Sequence, residues 1–192
     1  VSRVNLPVSV DTSKAVVAQT AVAAGAAIIN DQWGLKSEPE IAIVAAQTGA
    51  GLILMHNQKG RHYNDLIPDI SSSLSASAKT ALDAGVPKGN IIFDPGSGFG
   101  KTPDHNLEIL NRLREFTSLG YPLLLGTSRK STIGMVLDLA VEERVEGTAA
   151  TVALAIAAGV DIVRVHDVRH MVRVCRMSDA VVRGWRPSGW KR

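Results

Sequence analysis

The sequence is poor in three features, and each shortage excludes a class of protein. It has one cysteine, Cys175, in 192 residues, which excludes an intrachain disulfide and a cysteine-based metal site. Aromatic residues make up 4% of the chain, so alanine, valine, isoleucine and leucine must fill the interior. Such a core suits layered helices and strands better than a β-sandwich or an aromatic nucleic-acid platform. No run of about 18 apolar residues occurs, so no membrane span is expected.

The two ends of the chain bear on location and partners. The chain starts without methionine and without a signal-peptide pattern, so a cytoplasmic location is expected, within a protein that begins further upstream. The net charge of +3 is uneven, because residues 164–192 carry eight arginines and lysines against two aspartates. Most of these arginines fall on one side of a predicted helix, which indicates a solvated face and no nucleic-acid contact.

Short apolar runs alternate with alanine-rich helical patterns along the chain. Strands are predicted over residues 8–10, 27–29, 52–55, 91–93, 123–125 and 162–163. Helices are predicted over about 13–24, 39–48, 66–84, 106–119, 131–158 and 168–183. These six βα units predict a parallel sheet in one domain over residues 1–184, followed by an irregular tail over 185–192.

A parallel α/β sheet could be a doubly wound open sheet or a (β/α)₈ barrel, and the polar residues decide between them. A polar residue follows every strand: Asp11, Asn30, His56, Asp94, Lys130, and Arg164 with His166. An open sheet concentrates its ligand groups at one switch point, whereas a barrel collects them from many strand ends. The pattern therefore favours a (β/α)₈ (TIM) barrel, of which six units are present and two would precede residue 1.

The strand-end residues fit no familiar metal, nucleophile or nucleotide motif. No histidine or carboxylate spacing resembles a metal site, and no nucleophile elbow occurs. The glycine-rich segment 94–102 ends like a phosphate-binding loop, but Pro95 stands where that loop needs glycine. Carboxylates, an amide and a lysine suit the edge of a flat heterocycle. Arg164 and His166, spaced two apart on a strand, point to one face and suit a phosphate.

Five segments, in order along the chain, resemble the dihydropteroate synthase family of pterin-binding TIM barrels. They are Ser9-Val10-Asp11-Thr12, Ile28-Ile29-Asn30-Asp31, the glycine-rich Asp94 to Lys101, Gly126-Thr127-Ser128-Arg129-Lys130-Ser131 and Arg164-Val165-His166-Asp167. The resemblance implies a transferase of folate biosynthesis and a sulfonamide target. Such an enzyme condenses 6-hydroxymethyl-7,8-dihydropterin diphosphate with p-aminobenzoate, giving 7,8-dihydropteroate and pyrophosphate.

The resemblance also divides the matching residues among three ligands. The pterin would be held by Asp11, Asn30, Asp94 and Lys130, with Met55 packed beside it. The diphosphate would be held by Arg164 and His166. The p-aminobenzoate site would be lined by Phe99, Lys130 and Ser131. Asp11, Asp94 and Lys130 are expected to be the catalytic residues, and the two carboxylates would stabilise the pterin cation that forms when diphosphate leaves.

The sequence departs from the family's pattern at its start. The resemblance implies Mg²⁺ as cofactor, but the asparagine that helps to bind it belongs to the two missing units, so no metal ligand is expected in this chain. Residues 1–192 alone are therefore expected not to catalyse the condensation. The expected partners are the small-molecule substrates and a second copy in a homodimer, with neither nucleic acid nor membrane.

Two alternatives to a synthase remain at this point. One is a non-catalytic pterin-binding barrel. The other is a methyltetrahydrofolate-binding module that presents a folate to a corrinoid partner. The segments Ser128 to Ser131 and Arg164 to His166 favour the synthase, because a binding module has no need of them.

Overall fold

The chain folds as strands that alternate with helices. A computed structural model describes residues 3–190, and within that range it contains six β-strands and eight α-helices. The strands are β1 (Ser9–Asp11), β2 (Ile28–Asp31), β3 (Gly51–Met55), β4 (Ile91–Asp94), β5 (Leu124–Leu125) and β6 (Ile162–Val163). The helices are α1 (Ala15–Ala23), α2 (Glu40–Thr48), α3 (Leu66–Asp83), α4 (Pro103–Asn111), α5 (Leu113–Thr117), α6 (Ser131–Leu137), α7 (Val145–Ala157) and α8 (Val168–Val182). All six predicted strands are confirmed.

The strands are parallel, and their order in space follows their order in the chain. β1 to β4 form one sheet in the order 1-2-3-4, and β5 pairs with β6. A parallel bridge between Phe93 of β4 and Leu123, the residue before β5, joins the two groups. A doubly wound sheet would reverse its strand order, so the prediction of six consecutive barrel units is confirmed. Among residues 3–190, β1 and β6 each have one edge that pairs with no other strand.

The middle strands of the sheet are buried, which explains their continuous apolar runs. Leu52, Ile53 and Leu54 of β3 point alternately to opposite faces, yet each is at most 5% exposed. The longest helix, α3, covers the sheet with Ile70, Leu74 and Ala78, which recur at helical spacing and are all buried.

Two predicted helical stretches are divided in the structure, and the stretch over 131–158 corresponds to α6 and α7. The pattern over 106–119 corresponds to α4 and α5, which are separated at Arg112. The start of α4 lies three residues earlier than predicted, at Pro103. The reason is a cap: the Thr102 side chain accepts a hydrogen bond from the backbone N–H of His105 at 3.1 Å, and proline suits the first helical position.

The last described segment follows α8. Residues 183–190 contain turns but no helix or strand, and the indole of Trp185 lies 6.0 Å from the Arg176 guanidinium. None of the helices within residues 3–190 combines the length and apolar character that crossing a membrane requires.

Candidate active site

The carboxyl ends of the strands bring the sequence-predicted residues to one edge of the sheet. Asp11, Met55 and Asp94 end β1, β3 and β4, and Asn30 lies one residue before the end of β2. Because the strands are parallel, these ends share one mouth. The space here called the cleft is bordered by Asp11, Asn30, Asp94, Lys130, Arg164 and His166. Met55 is 1% exposed and stands next to Asp94 in the strand register.

Asp11 and Asn30 form a hydrogen-bonded pair on neighbouring strands. Asn30 donates from Nδ2 to Asp11 Oδ1 at 2.6 Å, which fixes the orientation of the amide because a carboxylate can only accept. Gln32 also donates to Asp11, at 3.2 Å. The amide oxygen of Asn30 is buried and accepts no hydrogen bond within residues 3–190. An unsatisfied acceptor beside a carboxylate suits a ligand that presents amino or ring N–H groups.

Asp94 is a buried carboxylate in the floor of the cleft. It is 2% exposed, and its Oδ1 accepts a hydrogen bond from the backbone N–H of Gly96 at 2.7 Å. Burial raises the pKa of Asp94, although Lys130, Arg164 and Lys101 act in the opposite direction. The local backbone requires glycine at position 96, because φ is +71° and a Cβ would lie 1.8 Å from the His56 carbonyl oxygen.

Lys130 connects the carboxylate region with the aromatic side of the cleft. Its ammonium group donates to the carbonyl of Ser97 and lies 4.9 Å from the centre of the Phe99 ring. Burial lowers the pKa of Lys130 to about 8, while the nearby Asp94 raises it. Ser131 is the first residue of α6 and is exposed. Lys130 therefore lies close to Phe99, and Ser131 is its neighbour in the chain.

Arg164 and His166 line a separate part of the cleft. With Asp11, Gly126, Ser128 and Lys130 they border a cavity of about 340 Å³. Arg164 Nη1 lies 3.1 Å from Asp11 Oδ2. His166 donates its backbone N–H to Ser128 Oγ at 3.1 Å, and its Nδ1 lies 3.0 Å from the same oxygen. Arg164 and His166 lie beyond the end of β6 and line this cavity together with Val165, so the strand alternation expected from the sequence does not apply to them.

A buried lysine beside the cleft, Lys101, is absent from the residues predicted for the site. Lys101 is 5% exposed, and its Nζ lies 3.0 Å from His56 Nδ1 and donates to the Phe99 carbonyl at 2.9 Å. Burial lowers the pKa of Lys101 to about 7 and that of His56 to about 3, so His56 is a neutral acceptor. The available signals were the polar strand end at His56 and the lysine that closes the glycine-rich segment.

Metal-binding side chains are sparse in the part of the chain that the structure describes. Within residues 3–190, no three or more histidine, cysteine, aspartate or glutamate side chains form a group that could hold a metal ion. The carboxylate of Asp11, which borders the same cavity as Arg164 and His166, is already engaged by Asn30 and Arg164.

Comparison with known proteins identifies the family of this site. The family model for pterin binding enzymes matches residues 1–166, which include all of the cleft residues. The chain belongs to the pterin-binding enzyme family.

Relatives within this pterin-binding family carry the name dihydropteroate synthase. The chain is 56% identical over 177 residues to that of Bacillus subtilis and 51% identical over 180 residues to that of Clostridium beijerinckii. It covers 62% and 67% of those two proteins, which in turn match 92% and 93% of this chain. The chain thus spans somewhat under two thirds of the Bacillus subtilis protein.

Solved structures of pterin-binding enzymes have the same fold. A dihydropteroate synthase from Clostridium difficile, in the presence of pteroic acid, superposes with a TM-score of 0.93 at 46% identity, covering 95% of this chain and 70% of that one. The enzyme of Thermus thermophilus in complex with 6HMPPP superposes with a TM-score of 0.87 at 41% identity, covering 92% and 70%.

Proposed function

We propose that the chain carries the pterin and diphosphate sites of a dihydropteroate synthase. This transferase condenses 6-hydroxymethyl-7,8-dihydropterin diphosphate with p-aminobenzoate, and the products are 7,8-dihydropteroate and pyrophosphate. The observation that carries the proposal is the separation of charge along the cleft. A buried carboxylate, Asp94, lies at one end, Arg164 and His166 lie at the other, and Lys130 is close to both.

The carboxylate end of the cleft suits the pterin ring. The pterin presents N–H and amino donors, and the second carboxylate oxygen of Asp94 together with the unpaired amide oxygen of Asn30 supply acceptors. Lys130 supplies a donor for a ring oxygen or nitrogen. Since Asn30 and Asp94 are buried, hydrogen bonds to these two side chains count for more than they would at the surface.

The cationic end suits the leaving group. The bond between the pterin methylene carbon and the diphosphate oxygen breaks, and its electron pair leaves with the diphosphate. Arg164 and His166 hold the anion through charge-assisted hydrogen bonds. The positive charge left on the pterin methylene is stabilised by the carboxylates of Asp94 and Asp11.

The remaining reactant, p-aminobenzoate, is assigned to the space beside Phe99 and Ser131. Its nitrogen lone pair forms the new C–N bond, and that nitrogen then releases one proton to solvent. Because an arylamine is already neutral near pH 7, the attack needs no general base. Lys130 and the Ser131 hydroxyl are donors that the carboxylate of this substrate can use.

Mg²⁺ does not fit the residues of this cleft by themselves. Mg²⁺ prefers carboxylate and other oxygen ligands. The cationic end offers the guanidinium of Arg164 and the imidazole of His166, and the carboxylate of Asp11 is taken by an ion pair. No step above depends on a metal ion.

The two sites are tested by isothermal titration calorimetry with two variants, each of which should weaken the binding of one ligand only. Arg164→Ala should weaken pyrophosphate binding by about 1.5–3 kcal/mol and leave 6-hydroxymethylpterin binding unchanged. Asp94→Asn should weaken the pterin by about 1–3 kcal/mol and leave pyrophosphate unchanged. Arg173→Ala on the exposed side of α8 is the matched control. Equal losses for both ligands, or no binding by the native chain, would reject the proposal.

Turnover is tested separately, because the relatives are longer. Dihydropteroate formation is assayed with this chain and with a version extended at its N-terminus by the corresponding residues of the Bacillus subtilis protein. We expect turnover from the extended version only, since the open edges of β1 and β6 leave the barrel incomplete. Equal turnover by both chains would contradict this expectation.

We also propose that the protein forms a homodimer through its last helices. Leu154 of α7 and Met177 and Val181 of α8 are between 63% and 71% exposed, which is unusual for large apolar residues on neighbouring helices. Light scattering should give twice the monomer mass, and Val181→Glu should give a monomer. A native monomer would contradict the proposal.

A further inference from the structure

The loops that follow β5 and β6 are joined by a bidentate ion pair. Arg129 donates from Nε to Asp167 Oδ2 at 2.8 Å and from Nη2 to Asp167 Oδ1 at 2.5 Å. The two residues are 38 positions apart in the chain, and their side chains are 29% and 14% exposed. The parallel pairing of β5 with β6 involves only two residues on each strand, so the loops beyond depend on side chains for their relative position.

Both residues of the ion pair depart from the local conformation or hydrogen bonding that is usual for their residue type. Arg129 has φ +56°, a left-handed conformation that a long side chain rarely adopts. Asp167 immediately precedes α8, where aspartate ordinarily caps the helix, yet its side chain makes no capping hydrogen bond. Its carboxylate is engaged by Arg129, which lowers the pKa of Asp167. Local exceptions of this kind tend to occur where the surrounding structure has a functional constraint.

Hydrogen bonds to other residues also hold the backbone of Arg129 in place. Its N–H donates to Thr148 Oγ1 at 3.1 Å, and its carbonyl accepts from Arg144 Nη1 at 2.9 Å. The next residue is Lys130, which begins α6 together with Ser131. Fixing Arg129 therefore fixes the start of the segment that reaches toward Phe99.

Asp167 directly follows His166, which lies at the cationic end of the cleft. Its neighbour His166 is held twice by Ser128 Oγ, at 3.1 Å and 3.0 Å. Ser128 on one loop thus contacts His166 on the other, and Arg129 contacts Asp167. The two loops form one unit. Lys130, Arg164 and His166, which belong to these loops, border the same cavity.

We propose that the Arg129–Asp167 ion pair is a positioning clamp that sets the separation of the Lys130–Ser131 segment from Arg164 and His166. The assignment of ligands to these two groups rests on the proposed function. Neither Arg129 nor Asp167 borders the cavity that Lys130, Arg164 and His166 line, so the pair acts through its neighbours. The clamp would keep the leaving diphosphate and the incoming amine at a fixed spacing.

The first test measures ligand affinity by calorimetry in the full chain. Asp167→Asn and Arg129→Gln should each raise the dissociation constant of pyrophosphate by about tenfold, while 6-hydroxymethylpterin changes by less than twofold. The double variant with Arg129→Asp and Asp167→Arg restores the pair with reversed charge, and aspartate tolerates the left-handed backbone. It should return the pyrophosphate affinity to within about threefold of the native value.

A matched control separates positioning from a general loss of stability. Arg112 makes a similar bidentate pair with Glu115, at 2.6 Å and 2.9 Å, on the exposed surface of α4 and α5. Arg112→Gln should leave both affinities unchanged. Pyrophosphate affinity that is unchanged in Asp167→Asn, or that is not restored by the reversed pair, would overturn the clamp.

The second test does not depend on the identity of the ligand. Native-state hydrogen exchange is measured at two backbone N–H groups. That of His166 donates across the loops to Ser128, and that of Arg129 donates to Thr148 of α7. Asp167→Asn should speed exchange at both groups at least tenfold and leave β2 and β3 unchanged. Uniform acceleration through the chain, or none, would overturn the clamp. If the native chain binds neither ligand, the proposed function fails, and this experiment still decides on the clamp.

Discussion

Asp11 and Arg164 are 153 residues apart and meet across the mouth of the sheet, with 3.1 Å between Asp11 Oδ2 and Arg164 Nη1. Asp11 ends the first strand and Arg164 follows the last, although β1 and β6 are not paired with each other. The same carboxylate accepts from Asn30 at 2.6 Å. One side chain therefore connects the region assigned to the pterin with the region assigned to the diphosphate.

This arrangement makes Asp11 a competitor for the anion. In the free cleft its carboxylate neutralises Arg164 and also repels a diphosphate. Asp11→Asn should therefore strengthen pyrophosphate binding by about three- to tenfold, or about 0.6–1.4 kcal/mol, within the range of partly exposed ion pairs. It should weaken pterin binding, since a neutral amide oxygen accepts from Asn30 more weakly than the carboxylate does. Calorimetry checks both effects. Weaker pyrophosphate binding would mean that Asp11 orients Arg164 instead of competing for it.

Asp94→Asn should affect stability in a direction set by the raised pKa of Asp94. A carboxyl whose pKa is higher in the folded state binds more protons there than in the unfolded chain, so folding stability falls as pH rises from its ordinary value of 3.8 through the folded pKa. The asparagine variant does not ionise and should be at least as stable as the native chain at pH 7. Its advantage should disappear near pH 3. Urea unfolding at the two pH values measures this difference.

Asp167→Asn is the matched control for that experiment because its pKa shift has the opposite sign. Arg129 lowers the pKa of Asp167, so this carboxylate stabilises the fold above its ordinary pKa of 3.8 and ceases to do so as pH falls through the folded value. The Asp167→Asn chain should be less stable than the native chain at pH 7. Identical pH profiles for the two variants would contradict the assigned causes.

Lys101 should give a distinct signature at alkaline pH. Its pKa is lowered from 10.5 to about 7, so between these values the unfolded chain binds more protons and native stability rises with pH. One such group contributes about 1.4 kcal/mol per pH unit. Lys101→Met should remove this contribution, whereas Lys79→Met, at an exposed lysine, should retain it. Urea unfolding between pH 7 and 9 is the measurement, and equal slopes in both variants would contradict burial of a titrating lysine.

The sequence was sufficient to predict the strands and most of the cleft. Continuous apolar runs indicate buried parallel strands, and parallel strands bring their carboxyl ends together, so Asp11, Asn30 and Asp94 could be placed without coordinates. Such reasoning uses only position along a strand. It succeeds where the backbone alone determines proximity.

Contacts that depend on how far a side chain reaches were not predictable in the same way. Arg129 appeared as part of a motif, but its pairing with Asp167 depends on a left-handed backbone angle. Lys101 follows a glycine-rich segment and would ordinarily be placed in solvent, yet it is 5% exposed because the loop folds back over His56. Burial of a loop lysine is decided by tertiary packing, for which a single sequence carries little signal.

Gly96→Ala should destabilise the loop after Asp94 through a steric clash as well as through backbone strain. Alanine at φ +71° loses about 1–2 kcal/mol relative to glycine. Here the added Cβ would also lie 1.8 Å from the His56 carbonyl oxygen, a backbone atom that cannot move without displacing the end of β3. The hydrogen bond from the Gly96 N–H to Asp94 would be lost with that shift. We therefore expect Gly96→Ala to lower the unfolding free energy by at least about 3 kcal/mol and to weaken pterin binding.

Gly49→Ala is the control that isolates the backbone strain from the steric clash. Gly49 ends α2 with φ +72°, and a Cβ there would meet no atom within 4 Å. Its substitution should lower the unfolding free energy by only about 1–2 kcal/mol and leave pterin binding intact, because the cost is that of the left-handed angle alone. Urea denaturation and pterin calorimetry on the two variants provide the comparison. Equal losses of stability would show that the loop yields to the added methyl group, and unchanged pterin affinity in Gly96→Ala would separate this loop from the pterin site.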